Sequence, residues 1–252
     1  MSTETIHLMN EKCADQFFPG NDTGILLLHG FTGSPAQMLK QAQAFSAAGY
    51  TVSVPRLPGH GTRKEDMYAV TGKDWRDRAA AALSALRGTC SRVFIGGLSM
   101  GGCLSLILTA ASGAQGVFTI SAPMGTASPF SALAPVLSPF VRAIHKSPDG
   151  HTGLDPEYDF CYSEMATARI ADLNAIIRDA RACLSGITCP VLAIQSRADR
   201  TIRPDSIQII RDHVSTRDVT TLMLDDVPHT CTISKESDTI SQAVLRFFSE
   251  HA

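Results

Sequence analysis

Five residues of this chain, Gly97-Leu98-Ser99-Met100-Gly101, have the types and spacing that acyl chemistry uses. A serine with a glycine two positions away on either side fits a sharp turn between a strand and a helix, where any larger side chain would collide with backbone. Such a turn holds the hydroxyl where a substrate reaches it. The pattern alone occurs by chance in many chains, so its flanks matter. Arg92-Val93-Phe94-Ile95 before it reads as a buried strand, and the apolar run Gly102 to Ala111 after it reads as a buried helix.

A serine hydroxyl is a weak nucleophile at neutral pH and needs a base, which in turn needs a group to orient it. Behind such a turn the partners follow in the order serine, acid, histidine. Five histidines come later: His145, His151, His213, His229 and His251. The first two lie in a proline-rich stretch, His213 ends a predicted helix where a cation suits the dipole, and His251 is terminal. His229 follows the last predicted strand, in the loop Asp225-Asp226-Val227-Pro228-His229-Thr230, and is favoured as the base. Asp199 leaves the preceding strand and is favoured as the acid. Its rivals are Asp205, Asp225 and above all Asp226.

Charge developing on a carbonyl oxygen needs two backbone N–H groups aimed at it. Met100, directly after the serine, is expected to supply one. Phe31, in the loop His29-Gly30-Phe31 after an earlier strand, is expected to supply the other, with Gly30 allowing the close turn. His29 reads as a buried prop of that loop.

The elements that must position these residues alternate along the chain. Strands are predicted at Gly24–His29, Tyr50–Val54, the stretch before Ser99, Gly116–Ser121, Pro190–Ile194 and Val219–Leu224. Helices are predicted from Ser34-Pro35 to near Gly49, Asp74–Leu86, the stretch after Ser99, Thr167–Leu184, Pro204–His213 and Ser234–Glu250. The alternation implies a parallel sheet with helices on both faces. An edge strand and a turn are expected within residues 1–23, from the alternation around Ile6 and Leu8 and the run Phe17-Phe18-Pro19-Gly20. Prolines at 123, 129, 135, 139, 148 and 156 interrupt the rhythm, so residues 123–189 read as a cap inserted into a core formed by 1–122 and 190–252. Phe130, Leu133, Leu137 and Phe140 of that cap, with Phe31, are expected to line an acyl pocket.

Composition excludes other classes. The chain has 252 residues, 44% of them hydrophobic, which suits a large core. A net charge of −2 with no basic run leaves no footprint for nucleic acid. The first residues show no leader pattern, no stretch reads as a membrane span, and seven cysteines at 13, 90, 103, 161, 183, 189 and 231 form no CxxC pair and no metal spacing. A cytoplasmic chain with reduced thiols, no metal and no cofactor is expected. Oligomeric state is not legible, and transient contact of the apolar cap with lipid stays open.

The motifs as a set resemble the α/β-hydrolases, and more narrowly their bacterial carboxylesterase and monoacylglycerol lipase group. The resemblance rests on His29-Gly30-Phe31-Thr32-Gly33-Ser34-Pro35, Pro55-Arg56-Leu57-Pro58-Gly59-His60-Gly61-Thr62, Glu65-Asp66-Met67 with Asp74-Trp75, Gly97 to Gly102, and Pro228-His229. It implies a sheet of about seven or eight strands with a small cap, and cofactor-free hydrolysis of a small-molecule carboxylic ester. It also implies Ser99, Asp199 and His229 as triad, with Phe31 and Met100 as oxyanion donors. In monoacylglycerol lipases of this group a cap glutamate holds the glycerol end. Here Cys161-Tyr162-Ser163-Glu164-Met165 has Ser163 at that point and Glu164 one residue on. The triad does not choose the leaving group, so thioesterase, lactonase, C–C hydrolase or acyltransferase chemistry stays open, as does a ligand receptor on the same fold.

Overall fold

The computed structural model describes residues 10–125, 138, 140–146 and 152–252. In the main sheet are β1 (Gln16–Phe18), β2 (Thr23–Leu28), β3 (Thr51–Val54), β4 (Arg92–Leu98), β5 (Gly116–Ile120), β8 (Val191–Ser196) and β9 (Val219–Leu224), while β6 (Ala143–His145) and β7 (Glu164–Ala166) form a separate two-stranded ribbon. The helices are α1 (Leu39–Ala47), α2 (Gly72–Arg87), α3 (Met100–Ser112), α4 (Thr167–Ala182), α5 (Ser206–His213) and α6 (Ser237–His251). The main sheet runs β1-β3-β2-β4-β5-β8-β9. Only β1 is antiparallel to its neighbour; the other pairings are parallel.

Both faces of this sheet are covered, which is why β2 is buried at every position. Along β2 the side chains alternate. Leu26 and Leu28 join a core with Trp75, Ala79 and Leu83 of α2 and Cys103 and Leu104 of α3. Ile25 and Leu27 join a second core with Phe45 of α1 and Ile240, Val244 and Phe248 of α6. In that second core the Phe248 ring lies 4.7 Å from Phe94, 5.1 Å from Phe45 and 5.7 Å from Phe118. Truncating such a side chain typically costs about 3–5 kcal/mol.

The predicted order of strands and helices is present, with local differences. The edge strand is Gln16–Phe18, paired on β3, where a turn was expected; Ile6 and Leu8 lie outside the described residues. The helix expected from Pro35 opens as a 3-10 turn over Pro35–Met38 before α1 begins, and the side chain of Ser34 makes no capping bond. Strand β4 runs on to Leu98, three residues beyond the apolar run that signalled it. Helix α4 buries Ile176, Ile177 and Ala180 in the same core as α3, so this helix of the 123–189 segment is part of the packing around the sheet. No described helix is long and apolar enough to cross a membrane.

Candidate active site

The sheet brings its chemistry to one edge. Leu28 pairs with Gly97 and Leu98 with Ile120, so the residues after β2, β4 and β5 emerge side by side. Ser99 sits between β4 and α3 at φ 54° and ψ −117°, a conformation unfavourable for any residue with a β-carbon. Its N–H is tied to the Ile120 carbonyl at 2.8 Å. A β-carbon on Gly97 would come to 2.4 Å from the Leu28 carbonyl oxygen, and one on Gly101 to 2.0 Å from the same atom. The tight turn at Ser99 exists because both positions lack one.

His229 bridges two elements of this edge. Its Nε2 lies 2.8 Å from Ser99 Oγ, and its Nδ1 lies 2.6 Å from Asp199 Oδ2. A carboxylate only accepts, so Nδ1 carries the proton and Nε2 is left to accept from the serine hydroxyl. The Asp199 side chain is fully buried. Its other oxygen accepts from the Thr201 N–H at 2.8 Å and the Ile202 N–H at 3.4 Å, which orients the carboxylate behind the imidazole.

The rival residues are elsewhere. Asp226 is 90% exposed at its side chain and pairs with Lys235, Asp225 pairs with Arg197, and Asp205 with Arg203. His145 is exposed beside Glu164, His213 bonds the Ile209 carbonyl, and His251 bonds the Phe247 carbonyl and Asp218. His151 lies outside the described residues.

The loop after β2 crosses directly over Ser99: a β-carbon on Gly30 would sit 3.5 Å from Ser99 Cβ. Phe31 follows in a turn closed by the Gly33 N–H on the Gly30 carbonyl at 3.2 Å, with Thr32 at φ 64°. Met100 opens α3, so its N–H has no carbonyl one turn earlier to bond. His29 is fully buried, accepts the Leu57 N–H on Nε2 at 3.1 Å and contacts the Gly30 carbonyl with Nδ1 at 2.9 Å. Burial holds its pKa down to about 4, so it is a neutral prop joining two loops. The His29 ring lies 5.0 Å from that of His60, which packs with Phe31 and Trp75 in a cluster of tilted and edge-on rings 5.4–6.0 Å apart, and Trp75 Nε1 donates to the Pro58 carbonyl.

Of the expected pocket residues, Phe31 is half-buried, its ring against His60 and Trp75. Phe140 is 85% exposed, outside any enclosed lining, and Phe130, Leu133 and Leu137 lie outside the described residues. Tyr162 was not singled out from the sequence. Its N–H donates to the Thr32 carbonyl at 2.9 Å, and its hydroxyl accepts from the Thr62 N–H at 3.0 Å and donates to the Gly59 carbonyl at 3.1 Å. No local spacing announces it, because its partners are 100 or more residues away in sequence.

The model of the Alpha/beta hydrolase family matches residues 25–234. The chain belongs to this family. Two bacterial relatives are similar over nearly their whole length. A thermostable monoacylglycerol lipase from Bacillus sp. (strain H-257) is 31% identical over 246 residues, covering 95% of this chain and 96% of the relative. A carboxylesterase from Bacillus subtilis (strain 168) is 30% identical over 240 residues, covering 92% and 95%. A solved structure described under LipS and LipT, two metagenome-derived lipolytic enzymes, superposes on this alpha/beta hydrolase with a TM-score of 0.90 at 30% identity, covering 96% of this chain and 99% of that one.

Proposed function

We propose that this alpha/beta hydrolase is a serine esterase that cleaves small-molecule carboxylic esters through an acyl-enzyme, with Ser99 as nucleophile, His229 as base and Asp199 as its orienting anion. The observation that carries this reading is the unbroken line from a buried carboxylate through His229 to Ser99 Oγ, at 2.6 and 2.8 Å. Ser99 Oγ attacks the ester carbonyl carbon as its proton passes to His229 Nε2. The backbone N–H groups of Phe31 and Met100 receive the developing oxyanion. Collapse breaks the bond to the alcohol, which leaves with the proton from Nε2. Water then repeats the sequence on the acyl-enzyme, releases the acid and restores the serine. Asp199 stabilises the imidazolium in both halves without taking its proton.

The relatives support the choice of ester over other acyl substrates, since one is a monoacylglycerol lipase and one a carboxylesterase. Monoacylglycerols are therefore within the proposed range. Glu164 is not free to greet a glycerol head: its carboxylate lies 3.4 Å from Lys64 Nζ and 3.8 Å from His145 Nε2. Preference for an unsubstituted glyceryl group over a simple alcohol is accordingly expected to be weak.

A fluorophosphonate probe tests the reading. It should label wild-type protein at Ser99 and leave Ser99→Ala unlabelled, and the variant should lose turnover of p-nitrophenyl esters and of 1-monoacylglycerol together. Ester turnover surviving in folded Ser99→Ala would end the proposal. Thioester turnover without ester turnover would move the substrate class and keep the triad.

A further inference from the structure

Beside the ribbon β6–β7, Lys146 Nζ lies 2.7 Å from Cys161 Sγ. Sulfur is larger than oxygen, and even an N–H···O bond is usually about 2.9–3.0 Å long. A nitrogen and a sulfur this close have the spacing of two atoms bonded to one common oxygen. The backbone holds them there. His145 pairs with Glu164 in the ribbon, and the Lys146 N–H continues the pairing onto the Ser163 carbonyl at 2.9 Å. Both residues are partly exposed, so small oxidants reach them. By contrast, Cys13, Cys90, Cys103 and Cys231 are buried.

We infer that Lys146 and Cys161 form a reversible covalent bridge, Nζ–O–Sγ, made by dioxygen and broken by thiols. The chemistry balances. The lysine first gives up its ammonium proton. The S–H bond of Cys161 and one N–H bond of Lys146 then break, and one oxygen atom is inserted between sulfur and nitrogen. The other oxygen atom takes both hydrogens and leaves as water. Sulfur and nitrogen each lose two electrons, and dioxygen accepts all four. Thiol reductants return four electrons and four protons, giving back the amine, the thiol and a second water.

The bridge is wired to the reactive edge. Cys161 Sγ lies 3.3 Å from Thr32 Oγ1, Thr32 Oγ1 donates to the Phe31 carbonyl at 2.5 Å, and the Tyr162 N–H holds the Thr32 carbonyl. Fixing Cys161 Sγ on an oxygen removes its hydrogen and sets its position under the turn that presents the Phe31 N–H. Oxidation state is thereby read as a change in ester turnover. This last step rests on the oxyanion role proposed for Phe31; the bridge itself does not.

Peptide mapping reads the bridge without any assay of activity. The full chain is exposed to air or hydrogen peroxide, or reduced with dithiothreitol, then alkylated with iodoacetamide and digested with trypsin. In the oxidised protein we expect peptide 143–169 to stay uncut after Lys146. Its mass should be one oxygen heavier and two hydrogens lighter than the free chain, with no fragment ions between residues 146 and 161 and no alkylation of Cys161. Dithiothreitol should restore both the cut and the alkylation, and Lys146→Arg should never show the species. Normal cutting at Lys146 in the oxidised protein, with Cys161 alkylated or converted to sulfinic acid, overturns the bridge. With the bridge formed, p-nitrophenyl ester turnover should differ severalfold between oxidised and reduced wild type and stay level in Lys146→Arg. Equal rates would overturn the coupling to the Phe31 turn while leaving bridge and esterase standing.

Discussion

Gly101 faces the Leu28 carbonyl so closely that a β-carbon would stand 2.0 Å from its oxygen, and the obstacle is backbone on both sides. Neither β2 nor α3 can yield without moving the other, because Leu28 is paired to Gly97 in the sheet. Gly101→Ala should therefore push α3 away from the sheet edge and displace Ser99. We expect a fall of several degrees in thermal midpoint and a loss of ester turnover larger than stability alone explains. A folded variant with normal turnover would contradict this account of the turn.

The role proposed for Asp199 is separable from that of Asp226 by charge removal. Asp199→Asn keeps the shape but cannot hold the same imidazole tautomer, and kcat should fall on the order of 10³- to 10⁴-fold. Asp226→Asn touches only an exposed pair with Lys235 and should leave kcat unchanged. The two variants are to be compared on the same p-nitrophenyl ester.

Two buried histidines set the acid limit of stability. Burial lowers His29 from 6.5 to about 4 and takes His60 well below its ordinary value. Both stay neutral in the native state while the unfolded chain protonates near 6.5. Between about 6.5 and 4 the unfolded state binds more protons, so stability falls as pH falls, and above 7 these groups add no slope. His29 alone contributes about 3 kcal/mol across that window. Carboxylates with lowered values, such as Asp155 and Asp205, act in the same direction but below it. Urea midpoints at intervals from pH 7.5 to 4.5 should decline for wild type and decline less for His60→Asn.

Tyr162 ties the segment before β7 to the loop around Gly59. Tyr162→Phe leaves the Thr62 N–H without its acceptor at a half-buried place, a loss of about 1–2 kcal/mol. The thermal midpoint should drop accordingly. Since the Tyr162 N–H still holds Thr32, labelling of Ser99 by a fluorophosphonate should persist.

The parts of the site that sequence displays are those made by local turns and strand ends. Gly97 and Gly101 announce a close approach, and the apolar runs before Ser99, Asp199 and His229 tell which edge each loop leaves. A parallel sheet then brings those loops together with no further instruction. What sequence hides depends on distant partners. Tyr162 reaches Thr62 and Gly59 across 100 or more residues, and the pairing of Lys146 with Cys161 depends on the register of a three-residue ribbon. The edge strand at Gln16–Phe18 was equally obscure, because three residues carry too little alternation to outweigh the proline and glycine that follow.

The backbone at Ser99, at φ 54°, is comfortable only for glycine. Replacing the serine by glycine would relax the turn by about 1 kcal/mol and leave every strand and helix in place. The sturdiest form of this chain is thus an inert one. A chain selected for durability alone would favour glycine at position 99, and the serine holds its hydroxyl there at the expense of a relaxed turn.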